Sequence, residues 1–73
     1  MKDKNGRILK IGDYATFMSR NPKRGIVCGK ILEKAIDQLL DIILVNHEMV
    51  CRAENEVTKI SDEEAMLYIL ENS

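Results

Sequence analysis

The sequence predicts a mainly β fold: a small five-stranded antiparallel barrel over residues 6–60, followed by a short C-terminal α-helix over residues 61–72. Three observations carry that expectation. Apolar and polar residues alternate in short runs, most clearly over residues 14–19, as a half-buried strand requires. Turn-forming residues separate those runs: Asn5-Gly6, Gly12-Asp13, the stretch from Arg20 to Gly25, and Asn46-His47-Glu48. Near the end, Ser61-Asp62-Glu63-Glu64 has the spacing of a capping box, the local signature of a helix start.

Taken in order, residues 1–5 read as a frayed end. Arg7-Ile8-Leu9-Lys10-Ile11 predicts a short strand running into the turn at Gly12-Asp13. In the next strand, Ala15 and Phe17 face one side, and Tyr14, Thr16 and Met18 the other. Arg20-Asn21-Pro22-Lys23-Arg24-Gly25 is the clearest loop, since Pro22 cannot donate to a strand ladder and Gly25 permits a turn. A strand resumes over residues 26–33, and Gly29 inside it marks a bulge or a tight bend of the kind that curls a sheet.

Residues 31–45 admit two readings. Ile31, Leu32, Ala35, Ile36, Leu39, Leu40 and Ile43 fall at helical spacing. The β-branched Ile42, Ile43 and Val45, and the polar turn after them, favour a turn near 34–38 and a strand over 39–45. The strand is preferred, paired as a hairpin with residues 49–53. Beyond the polar Glu54-Asn55-Glu56, residues 57–60 form the last strand. In the helix, acids in the first turn suit its dipole, and Met66, Ile69 and Leu70, broadened by Leu67, form an apolar face flanked by Ala65 and Tyr68. So short a helix does not stand alone; its face either caps an open end of the barrel or docks a partner.

The 73 residues make a single domain, 1–73. With 45% hydrophobic and 32% charged residues the balance is globular. The aromatics are Tyr14, Phe17 and Tyr68, so the core is chiefly aliphatic. Cys28 and Cys51, with no export signal in the polar first ten residues, read as buried thiols of a reducing, cytoplasmic compartment. The apolar run 42–45 is far too short to span a membrane. Charge is divided along the chain. Residues 1–34 carry nine basic residues against three acids, and residues 35–73 carry two against nine. Such a split hints at a charged partner, although a curled sheet interleaves the two halves in space.

The basic loop is the first candidate site. Arg20, Lys23 and Arg24, with Lys10 and Lys30 as outer support, offer point charges and guanidinium forks toward phosphates or carboxylates. The second is Cys28, His47 and Cys51, which lack the four ligands and the paired-cysteine spacing of a structural zinc site, so no metal or cofactor is expected. The third, the acids Glu48, Glu54, Glu56, Asp62, Glu63 and Glu64, reads as a solvated face plus a helix start. The fourth is the helix face Met66, Leu67, Ile69 and Leu70. No serine sits in a nucleophile elbow, and a domain this small has little room for a substrate pocket of about 300 Å³; the chain is expected not to be an enzyme and to take no small-molecule substrate.

The order of these signals resembles the small five-stranded barrels of the Src-homology-3-like superfold, including those with the KOW motif of ribosomal and transcription-elongation proteins. The resemblance covers residues 6–60. It rests on the Gly12-Asp13 turn before Tyr14-Ala15-Thr16-Phe17, the basic loop, Gly29-Lys30-Ile31, the hairpin of 42–45 with 49–53, and the closing Glu56-Val57-Thr58-Lys59-Ile60. Gly25 and Gly29 are more widely spaced than the KOW motif asks. The aromatic groove that grips proline-rich peptides is missing apart from Tyr14 and Phe17, which speaks against that ligand class. The fold hosts many functions. The reading that follows is a non-catalytic accessory module binding a macromolecule through the basic loop, with a protein partner placed ahead of nucleic acid. The alternative is a structural domain that forms a homodimer through the helix or an open strand edge.

Overall fold

A computed structural model describes residues 1–21, 23–34, 36, 39–44 and 47–71. Its five strands are β1 (Tyr14–Met18), β2 (Ile26–Lys34), β3 (Leu39–Leu44), β4 (Met49–Ala53) and β5 (Thr58–Ile60). A single 3-10 turn, Glu54–Glu56, links β4 to β5, and helix α1 (Asp62–Glu71) ends the described chain. The strands form one antiparallel sheet in the order β4-β3-β2-β1-β5. The mainly β expectation holds, and the helical reading of 31–45 does not: β2 continues to Lys34 and pairs with β3, with Lys34 opposite Leu40. The β-branched Ile42 and Ile43 suit the pleated, half-buried surface on which they pair with Ile31 and Lys30. Ala35, Asp37 and Gln38 of the expected turn, Val45 at the end of the strand expected over 39–45, Asn46 of the turn after it and Asn72 of the expected helix lie outside the described residues.

Period-two alternation decides what is buried. On one face Ala15, Phe17, Ile31, Leu40, Ile42 and Leu44 gather with Leu9 and Val57 into the main core. On the opposite face Cys28 and Ile60 meet Ala65 of α1, with Tyr14 and Tyr68 packed beside them. The sheet is strongly curled. The guanidinium of Arg52 on β4 lies 5.1 Å from the ring centre of Phe17 on β1, although two strands separate them in the sheet order. Among the described residues no ladder joins β4 to β5, so both remain edges.

A β-bulge helps the curl. Ile31 pairs with Ile42 and Glu33 with Asp41, leaving Leu32 as the extra residue. The bend was expected at Gly29 and falls beyond it. Gly29 is required for close approach instead: a Cβ there would run into Cγ2 of Ile42 and sit 3.0 Å from the carbonyl oxygen of Ile43.

The N-terminal segment departs most from expectation. Residues 7–11 form no strand; Ile8 makes an isolated bridge to Lys2. Residues 1–5 are not frayed. The Leu9 amide donates to the Met1 carbonyl at 2.8 Å, and the Lys4 amide to the Val57 carbonyl at 3.0 Å. The Asp3 carboxylate, only 5% exposed, accepts from the backbone amides of Asn5, Arg7 and Lys59 at 2.8–2.9 Å.

Helix α1 starts as its sequence dictates, with the Glu64 amide donating to the Ser61 hydroxyl at 3.2 Å. Its packed side differs from the expected one. Ala65 is fully buried and Tyr68 and Ile69 half-buried, whereas Met66, Leu67 and Leu70 are exposed. The small Ala65 allows the closest approach to the sheet, so the stripe i, i+3, i+4 from it turns inward. The helix therefore covers the outer face of β1, β2 and β5, and does not cap a barrel end with its Met66–Leu70 side.

Candidate anion-binding cleft

The loop between β1 and β2 is built by short-range hydrogen bonds. The Ser19 amide reaches the Gly25 carbonyl at 2.9 Å, and Gly25 turns at φ 66°. The Asn21 amide donates to the Ser19 hydroxyl, and the Asn21 side chain accepts from the Lys23 amide at 3.1 Å. This Asx turn displays Arg20, Lys23 and Arg24, all three exposed. Pro22 lies outside the described residues.

The five basic residues do not converge. The Lys10 amide is held by the Asp13 carboxylate at 2.8 Å, in the turn before β1. Lys30 lies across from Tyr14, its Nζ 5.9 Å from the ring centre. Both belong to the Tyr14 end of β1, and the loop follows Met18 at the other, a strand length of about 13 Å away at ~3.3 Å per residue. The arginine pair of the loop is joined instead by a residue that sequence reasoning passed over.

Beneath the loop, between it and β4, lies a cleft of about 410 Å³. Arg20, Asn21, Arg24 and Glu48 form its exposed rim, and Phe17, Val50 and Arg52 line its depth. Arg24 and Glu48 are paired at 3.1 Å across the mouth. Little room for a pocket of this size was expected; the sheet supplies it by curling without closing at this end. Arg52 is 7% exposed. Its Nη1 donates to the Cys51 carbonyl at 2.8 Å and its guanidinium lies over Phe17. Among the described residues no carboxylate comes within ion-pair distance of it.

Comparison with protein-family models, with curated proteins and with solved structures finds no match to this chain.

A lone arginine in an alternating strand reads as a solvated charge. The signal that placed it inside was its spacing: Val50 and Arg52 share one face of β4, and Val50 packs on the core. Arginine tolerates this site because it is weakly hydrated and stacks on rings. The other candidate groups are dispersed. Cys28 is buried under α1, where burial pushes its thiol above the ordinary range. Cys51, expected to be buried, is exposed, because it points away from the face that carries Val50 and Arg52. Among the described residues no three His, Cys, Asp or Glu side chains gather to hold a metal ion. No described helix is long and apolar enough to cross a membrane.

Proposed function

We propose that this chain is a small non-catalytic accessory module that binds another protein through its basic loop and the cleft beneath it. The observation that carries the reading is the cleft itself, lined by the exposed Arg20 and Arg24 and the buried Arg52. Three guanidinium groups around one hollow favour an anionic group presented singly, since each offers a fork to a carboxylate or phosphate. A nucleic-acid backbone asks for cations spaced along a track; Lys10 and Lys30 lie at the far end of β1, and Glu48 stands in the mouth. A protein partner with exposed acidic residues fits better. The two free thiols suit a reducing, cytoplasmic setting. The antiparallel order with β5 returning to β1 is in keeping with the Src-homology-3-like resemblance.

Fluorescence anisotropy with a labelled glutamate-rich peptide, a short duplex DNA and a single-stranded RNA tests this at several salt concentrations. The expected result is binding of the peptide that the triple variant Arg20→Ala, Lys23→Ala, Arg24→Ala weakens by about tenfold or more. A log–log salt slope of about −2 to −3 with the nucleic acids, abolished by the same variant, marks roughly three phosphate contacts and moves the assignment to nucleic acid. No binding of any of them at low salt overturns the basic loop as a contact surface.

A second reading is favoured by a separate observation. Met66, Leu67 and Leu70 of α1 are 55%, 62% and 66% exposed, and β4 and β5 are open edges. Those features suit a structural domain that forms a homodimer.

A further inference from the structure

Arg52 brings a permanent positive charge to the depth of the cleft. A guanidinium carries five N–H donors, and among the described residues its one hydrogen bond goes to the Cys51 carbonyl. The ring of Phe17 attracts the cation but accepts none of its fork in the way a carboxylate does. Arg20 and Arg24 add charge of the same sign at the rim, against the single carboxylate of Glu48. The cleft is therefore cationic, and among the described residues most of the Arg52 fork has no protein acceptor.

We propose that Arg52 is the seat of a single carboxylate, that of an acidic side chain or chain end from a protein partner, with Arg20 and Arg24 closing on it from above. This rests on the reading of the loop as the contact surface. Two observations choose a carboxylate. The rim already holds one in an ion pair, Glu48 on Arg24 at 3.1 Å. That acid opposes a doubly charged phosphate more than a singly charged group. The walls beside Arg52 are Phe17, Val27, Leu44 and Val50, and they suit the hydrocarbon stem that a carboxylate brings with it. Glu48 then acts as a resident competitor: the incoming acid shares or takes its place on Arg24. Removing that carboxylate with Glu48→Gln is expected to strengthen binding.

The test is a side-chain NMR titration of the nitrogen-15-labelled chain with sodium butyrate, a single carboxylate on a hydrocarbon stem, and, separately, with inorganic phosphate, at ionic strength held constant with sodium chloride. The expected result is a saturable shift of the Arg52 Nε–H signal with butyrate, enhanced in Glu48→Gln; in Arg52→Lys, which keeps the charge and loses the fork, the affinity read from the backbone amides of Val50 and Cys51 falls by about tenfold. An Arg52 signal unmoved by both anions, in a chain whose amide spectrum remains dispersed, overturns the seat. Tighter binding of phosphate than of butyrate also overturns it, in favour of a phosphate group. Should Arg52→Lys fail to fold, the wild-type titration and an Arg20→Ala, Arg24→Ala variant decide: loss of the Arg52 shift supports the seat, and an unchanged shift overturns the part given to the rim arginines. The two readings fail separately. An acidic peptide that binds through the loop and leaves Arg52 silent removes the seat and keeps the surface. Butyrate seated on Arg52 with no loop-dependent peptide binding removes the partner.

Discussion

Asp3 shows how one residue can organise a segment that carries little apolar surface. Burial alone would raise its pKa; three backbone amides, from Lys59, Arg7 and Asn5, and the nearby Arg7 charge outweigh it and hold the carboxyl below its usual range. The sign follows from that direction. A carboxylate favoured in the folded state adds stability above its unfolded pKa of about 3.9 and loses it as pH falls through the folded value. Asp3→Asn puts an amide –NH2 or a lost acceptor opposite a buried N–H, and should cost about 1–3 kcal/mol at neutral pH. Urea unfolding of both proteins from pH 7 to 3 checks it. The gap should narrow as pH falls, and a constant gap would show that the carboxylate charge is not involved. Part of this was legible, since Asn5-Gly6 marks a turn, but the frayed end expected over residues 1–5 gave Asp3 no role. The third amide belongs to Lys59, and no local pattern reveals a partner 56 residues away.

At the scale of elements, the strands were readable because each alternates over a core that admits one side of it, and α1 because Ser61 and Glu64 stand three apart. The packed side of α1 was not readable. Ala65 contributes little hydrophobic weight, so pattern alone favoured Met66, Ile69 and Leu70, whereas close approach to Cys28 and Ile60 favours the smallest residue. Gly29 was read as a bend and works as a clearance. Gly29→Ala is expected to destabilise by about 1–3 kcal/mol, the range for overpacking a filled core, because Ile42 and the Ile43 carbonyl occupy the space. Thermal unfolding measures it, and the cost of Gly29→Ala should be smaller in an Ile42→Ala background, where the Cγ2 methyl in its way is gone. An unchanged cost would place it on the Ile43 carbonyl of β3.

For the whole molecule, the balance between its two kinds of surface matters. The cleft is cationic; Leu39 on β3 and Met49 on β4 are 41% and 59% exposed, and α1 carries an exposed apolar side. If that side pairs two copies, light scattering after size exclusion will give a mass that rises with concentration, and Leu70→Glu will return it to a monomer without touching peptide binding. A monomer at every concentration overturns the dimer. The charge split of the sequence, basic in its first half and acidic in its second, did not become two faces: Arg24 meets Glu48 and Lys59 meets Asp13 across it. Alternation gave the sheet, but the cleft arises from how far the sheet curls, and that depends on contacts between strands distant in the chain.

The hold of Asp3 on Lys59 has a consequence for how the molecule is made. Synthesis delivers residue 3 first, yet its carboxylate lacks one amide until β5 has left the ribosome tunnel, and Ala15 and Tyr14 wait for the same strand. A chain released after β4 has its hairpins and neither of these ties. Folding then waits on long-range closure, and until it happens the nascent chain offers the open edge of β1 to whatever else is near.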